Sequence, residues 1–362
     1  MTQAAALAAY GSNSPSNRNR IINGDMRIDQ RNAGASVPVS TGSQPYSTDR
    51  WVTYNSSGDT QAFSQVNSSI PGFTKALRCT ISNVIASGAS SFLLFGQRIE
   101  GFNIGDLGWG TSSASAITVS FRALSSISGT FGGVIRNGST NTRFYVFSFT
   151  LTANTPSTVT VTIPGDTTGV WTTDNTNSLE LIVSMGCGTS FQGATGSWGS
   201  SSVLGATGQA QLNETAGATF EITGVQLEAG SVATPFEHVD YSEMLGRCQR
   251  YYMRWQPKVD GGATSYPLIG PGYASAAGAA NYGIPTPSTL RATPTVSFGG
   301  TVSGAHGATA GALASVSNIY EPANNNLWIA VAFSTSPFTV GMGGILYLIN
   351  STANYFEVSA EL

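Results

Sequence analysis

Two stretches, Tyr145-Val146-Phe147-Ser148-Phe149-Thr150-Leu151 and Thr158-Val159-Thr160-Val161-Thr162-Ile163, decide how the chain folds. In each, large apolar residues alternate with residues that tolerate water, the period-two signature of a strand with one buried face. Working outward, Ile117, Val119 and Phe121 alternate with Thr118, Ser120 and Arg122. Leu179, Leu181, Val183 and Met185 form another row, and Phe220 with Ile222 a further one. Turn chemistry separates the rows at Ser57-Gly58-Asp59, Arg136-Asn137-Gly138-Ser139 and Pro164-Gly165-Asp166. Many short antiparallel strands without an intervening helical pattern predict an all-β protein, with a jelly-roll-like β-sandwich over residues 21–238.

Composition agrees with this reading. The 362 residues include 16 basic and 19 acidic ones, so only 10% of the chain is charged, while 41% is hydrophobic and 43 residues are glycine. That hydrophobic share is too high for a solvated, disordered chain. With a net charge of −3 and basic residues scattered singly, no stripe is available to neutralise phosphates, which argues against a nucleic-acid partner. The charge-free run from Leu327 to Ile349 has membrane-spanning length, but Ser334-Thr335-Ser336-Pro337 and three glycines interrupt it. Two strands and a turn explain it, and no membrane insertion is expected. Cys79, Cys187 and Cys248 are odd in number and widely spaced, fitting neither a disulfide framework nor a metal motif. Alternation turns Cys79 inward with Leu77 and Ile81. Free thiols fit assembly in a reducing cytosol.

Three further segments complete the expected organisation. Residues 1–20, an alanine run followed by Gly11-Ser12-Asn13-Ser14-Pro15-Ser16, form an N-terminal arm too short for an independent helix. Residues 239–255 form a linker helix, opened by a capping box at Asp240-Tyr241-Ser242-Glu243. Met244, Leu245, Cys248 and Tyr252 recur on it at helical spacing, either packed on neighbouring elements or joining subunits near a symmetry axis. Residues 256–362 form a second, smaller β-domain. Val296/Phe298, Ile329/Val331/Phe333, Phe338/Val340/Met342 and Ile345/Tyr347/Ile349 alternate there, after a loop-like start.

Reactive constellations are sparse. His238 and His306 lie far apart, and no nucleophile elbow, zinc-binding His pair or phosphate loop occurs. Neither a metal nor a cofactor is expected. Two acid pairs, Asp25/Asp29 and Asp166/Asp174, have the residue types for glycoside cleavage, but turn formation and capping explain them better. Aromatic residues among polar, flexible neighbours are the more suggestive feature. Trp109 and Trp198 lie in Gly/Ser-rich loops, and Tyr266, Tyr273 and Tyr282 occupy the start of the second region. A ring with one free face stacks on the apolar C–H face of a sugar. The same rings serve as core when buried, and both readings stand for each.

Several motifs carry a family resemblance. Ile22-Asn23-Gly24-Asp25-Met26, Asp49-Arg50-Trp51 and Gln97-Arg98-Ile99-Glu100-Gly101 lead to Gly224-Val225-Gln226-Leu227-Glu228-Ala229-Gly230 and Thr234-Pro235-Phe236-Glu237. With Arg247-Cys248-Gln249-Arg250-Tyr251-Tyr252, they resemble bacteriophage and prophage virion proteins such as tail fibres, spikes and capsid-decoration proteins. The resemblance spans residues 21–362. It implies a carbohydrate-binding-module-like β-sandwich, a homotrimer on the virion surface made in the host cytoplasm, attachment to other virion proteins through residues 1–20, and adhesion to host glycan. It implies no set of catalytic residues, and the expectation is a non-enzymatic protein. Trp51, Trp109 and Trp171 fall at positions matching the family.

Overall fold

The computed structural model describes residues 18–56, 58, 60–84, 88–257, 266–323, 325–335 and 338–362. The expected arm at 1–17, the turn residues Ser57 and Asp59, and Ser336-Pro337 lie outside these. The chain divides into two compact units, residues 1–241 with 362 and residues 242–361.

The first unit is a sandwich of two antiparallel sheets. One has six strands in the order Val37–Val39, Gln61–Asn67, Lys75–Thr80, Thr219–Ala229, Ile117–Ser125, Ser157–Ile163. The other has seven, Trp198–Gly199, Phe144–Leu151, Gly129–Asn137, Asn177–Cys187, Phe92–Glu100, Trp51–Asn55, Tyr46–Thr48. Both sheets pair strands far apart in sequence, such as Lys75–Thr80 with Thr219–Ala229 and Phe92–Glu100 with Asn177–Cys187, as a jelly roll requires. The alternating residues meet between the sheets: Val119, Phe121, Leu77, Cys79 and Phe220 from one, Phe131, Phe147, Phe149, Leu181 and Val183 from the other. Phe121 meets Phe149 edge-on across the layer, with centroids 5.1 Å apart. Burial pushes the Cys79 thiol up, so it stays protonated and serves as a small apolar residue.

The two sheets differ on their outer faces. Strand Asn177–Cys187 is buried along nearly its whole length rather than at alternate positions. Ile182, Val134, Val146, Leu94 and Val52 face outward there and are covered by Leu204 and Ala206, with Phe191 and Val203 beside them. Polar loop residues between Cys187 and Leu212 conceal this second layer in the sequence. On the six-stranded sheet, strand Thr219–Ala229 is likewise buried along nearly its whole length, and the outer face opens toward Ser157–Ile163, where Thr158, Thr160 and Thr162 are exposed.

Residues 18–28 are stitched onto strand Thr219–Ala229. Asn19 donates through Nδ2 to the Val225 carbonyl at 3.0 Å and accepts the Leu227 N–H at 3.0 Å. Gly24 permits this approach, since a Cβ there would stand 2.1 Å from the Val225 oxygen. Residues 18–20 therefore belong to the body of the sandwich and not to an arm.

In the second unit the helix runs only from Tyr241 to Gln249. Tyr252–Trp255, expected to continue it, is a strand, and its aromatic residues favour that state. It pairs with Tyr355–Ser359, which also pairs with Thr295–Gly299. Six further strands close into a barrel in the order Leu268–Ala276, Ala279–Pro285, Asn326–Phe333, Thr309–Ala323, Val302–His306, Gly343–Leu348. The loop-like start thus forms two barrel strands. Gly and Ala hide their alternation, while Ala274 and Ala280 point inward at 0% exposure. Leu346 and Leu348 fill the interior, so Ile345 and Ile349 face out. Val340 and Met342 lie in an exposed turn segment and extend no strand.

Candidate functional site

The open face of the six-stranded sheet carries a groove of about 340 Å³. Its floor comes from two paired strands, on which Thr158 stands opposite Arg122 and Thr160 opposite Ser120. A register shift between Thr223 and Gln226 places Gly224 at φ +61°, within the strand beside that floor. Pairing between Lys75–Thr80 and Thr219–Ala229 stops at Leu77 opposite Ile222. Phe73, just before the first of these strands, lies over Gly224, where a Cβ would come within 2.4 Å of its ring. A glycine at the shift therefore sets the position of one aromatic wall.

The other wall is Phe236 with His238. Phe73 and Phe236 meet edge-on at 5.3 Å, Phe236 and His238 at 5.0 Å, and Phe73 and His238 lie 5.9 Å apart. The segment 234–237 is held by buried polar groups. Glu228 accepts from the Thr234 N–H at 2.8 Å and from its hydroxyl at 2.7 Å, and Gln226 accepts the Glu237 N–H at 2.9 Å. The Glu237 carboxylate in turn accepts the Asn19 N–H at 2.7 Å. Val-Gln-Leu-Glu and Thr-Pro-Phe-Glu thus form one scaffold, and what it presents is Phe236.

Arg122 is half-buried in the floor and donates to the Thr158 hydroxyl. Among the described residues no carboxylate pairs with it, unlike Arg78 with Glu221, Arg136 with Glu180 and Arg143 with Asp166. The groove therefore combines apolar ring faces, the hydroxyls of Ser120, Thr158, Thr160 and Thr234, and the Arg122 cation.

The residues singled out in the sequence scatter. Trp109 is buried, its indole donating to the Ser115 carbonyl at 2.7 Å. Tyr282 is at 0% exposure inside the barrel, its hydroxyl 2.6 Å from His306 Nε2. Neither offers a free ring face, which corrects the sugar-contact reading for both. Trp198 is half-buried at the rim of a tryptophan cluster, 5.4 Å from Trp109 and 5.8 Å from Trp171. Its N–H donates to Pro164, pinning the 194–203 loop to the sheet edge. Tyr266 and Tyr273 are exposed on the barrel. Met244, Cys248 and Tyr252 are buried within the chain, which agrees with packing on neighbouring elements and corrects the alternative that they join subunits, and Leu245 is half-buried. Phe73, Arg122, Phe236 and His238 are not predicted as site residues. The only signal for them is the Thr-Pro-Phe-Glu motif and an isolated His.

The candidate acids are committed elsewhere. Asp166 accepts both guanidinium arms of Arg143, at 2.9 and 2.7 Å, and the Trp171 N–H at 3.1 Å. Burial pushes its carboxyl up, but the bonds from Arg143, Trp171 and Thr168 outweigh this and hold it below the usual carboxylate value. The Thr176 hydroxyl and N–H hold the exposed Asp174 low as well. A proton donor for glycosidic cleavage needs the opposite shift. Asp25 is bound to Arg27; burial pushes the Asp29 carboxyl up, but it receives the N–H groups of Asn32 and Gly34 as a turn former.

No protein-family model and no curated protein matches the chain. Among solved structures it is similar to a CBM61 module in complex with β-1,4-galactotriose, at 10% identity over 59% of this chain and 99% of that one, with a TM-score of 0.31. It is similar to the N-terminal cellulose-binding domain of a Cellulomonas fimi β-1,4-glucanase C, at 13% identity over 51% and 90%, TM-score 0.27. The enzymatically active domain of tailspike protein 4 from bacteriophage CBA120 matches at 12% identity over 60% and 22%, TM-score 0.27. Scores this low carry no argument about function; the jelly-roll sandwich is defined by its own ladders.

Proposed function

We propose that the chain is a glycan-binding, non-enzymatic surface protein of a phage virion, of the tail-fibre or spike kind, with the sandwich groove as its adhesive site. The observation that carries the glycan part is the groove itself: rings of Phe73 and Phe236 stand over a hydroxyl floor holding an unneutralised Arg122. The rings take the apolar face of a pyranose, and the Thr and Ser hydroxyls meet its hydroxyls. Arg122 pairs with the carboxylate of an acidic sugar. Binding rather than cleavage is favoured because Asp166 and Asp174 are both held ionised. The virion part rests on the sequence motifs.

Homotrimer formation belongs to the same proposal, with the barrel wall rather than the helix as its contact. Leu268 and Ile345 are exposed on paired strands and Ile349 just past the end of the second, with Tyr266 and Tyr347 beside them. Such an apolar patch suits association with another copy. Sedimentation of the full chain is expected to give a trimer that Leu268→Asp dissociates; a monomeric wild type would refute this part.

An array of neutral and uronic-acid-containing bacterial oligosaccharides tests the adhesive site. Wild-type protein is expected to retain acidic members, and Phe236→Ala, still folded by circular dichroism, to lose them. Equal retention by both would reject the groove.

A further inference from the structure

The outer wall of the barrel carries a second aromatic feature, built differently from the groove. Tyr273 stands opposite Asn281, Gly283 opposite Trp328, and Tyr320 opposite Trp328 on the next strand. Antiparallel neighbours directly opposite each other point to the same face, so these residues form a band across four adjacent strands. Tyr273 and Tyr320 are 41% and 46% exposed. The Tyr273 and Trp328 rings lie 6.1 Å apart and 50° from parallel. Asn281 donates to the Tyr273 hydroxyl at 3.1 Å, which fixes the ring without covering it.

Beside the two rings is a hollow of about 450 Å³ that both line, together with Gly272, Gly283 and Asn326. No residue lining it carries a charge, among the described residues. Neighbouring Asn325 is fixed by the Thr286 N–H on its carbonyl and the Thr289 hydroxyl on its side chain, both at 2.9 Å.

We infer that this band is a second carbohydrate site, selective for neutral oligosaccharides. Two rings tilted against each other receive successive sugar rings, which are themselves twisted along a chain. Glycines let the ligand reach the backbone, and side-chain amides supply both donors and acceptors for hydroxyls. Without a cation, the site gains nothing from a carboxylate. The band is also distinct from the aliphatic patch at Leu268, Ile345 and Ile349, and its hollow and amides suit a small polar ligand better than another protein face. The inference extends glycan binding to the second unit and stands independently of the groove.

Titration of the full chain with cellohexaose, maltohexaose and chitohexaose tests it, read by calorimetry and tryptophan fluorescence. At least one is expected to bind, with about tenfold weaker affinity in Trp328→Ala. Tyr273→Ala, at an exposed position, gives the same readout if Trp328→Ala does not fold. Three results would overturn the inference: no binding of any of the three, wild-type affinity in the folded variant, or a lowered oligomeric state in Trp328→Ala. Loss of neutral binding in Phe236→Ala instead would place that sugar in the groove and also overturn it. Failure of the groove with acidic sugars leaves this readout intact, so the two ideas fail separately.

Discussion

The sandwich groove and the barrel band both display aromatic rings beside hydrogen-bonding groups, yet one holds a cation and the other none. The same division runs through the interiors of the two units. In the sandwich, the buried polar groups include arginine–carboxylate pairs, Glu180 with Arg136, Asp166 with Arg143 and Glu221 with Arg78, beside neutral amides such as Asn23 and Gln97. In the barrel interior, the buried polar pair is Tyr282 with His306, whose Nδ1 lies 3.0 Å from the Met342 carbonyl. Burial pushes the Tyr282 hydroxyl up, so it remains a neutral donor. A chain with few charges has used them to fix sandwich strands, while Arg122 in the groove has no carboxylate partner among the described residues.

This contrast breaks first on stability. Asp166→Asn removes a buried carboxylate and leaves Arg143 unpaired, at a cost of about 3 kcal/mol at pH 7. The Asp166 carboxyl is depressed in the folded state, so its contribution is full above the ordinary carboxylate value of about 3.9 and fades as pH falls through the folded value. The deficit of Asp166→Asn should therefore shrink below about pH 4. Hydrogen exchange is expected to show faster opening of the sandwich strands and unchanged barrel strands; equal loss in both would erase the distinction.

A smaller effect falls on the groove. Phe236→Ala should weaken binding of an acidic oligosaccharide by about 2 kcal/mol, the scale of an aromatic anchor in a desolvated centre. Calorimetry on the folded variant measures this.

How much of this was legible follows the range of the interactions. The rows at Phe147/Phe149 and Val119/Phe121 identify the sandwich because burial of one sheet face imposes period two locally. The covering of Ile182 and Val134 by residues 188–212 is not legible, because those loop residues read as polar turn. Trp109 and Trp198 look alike in sequence, each in a Gly/Ser-rich stretch, and only the cluster with Trp171 separates core from rim. The groove depends on a register shift at Gly224 and on Phe73, far away in the chain. Its local traces are Phe236, which reads as family motif rather than as site, and the isolated His238. Tyr273 is legible as an exposed ring, whereas Trp328 reads as part of an apolar strand until pairing places it opposite Gly283.

The central claim is that an acidic glycan meets Arg122 in the groove. Calorimetric titration of the full chain with tetragalacturonate, at about 50 mM and about 500 mM salt, tests it most directly for wild type and Arg122→Gln. An ion pair in a part-open groove is screened by salt, so wild-type affinity should fall at the higher salt. Arg122→Gln should bind about tenfold more weakly at low salt and lose most of that salt dependence. Equal affinity and equal salt dependence in the two proteins, or no binding by wild type, would contradict the account.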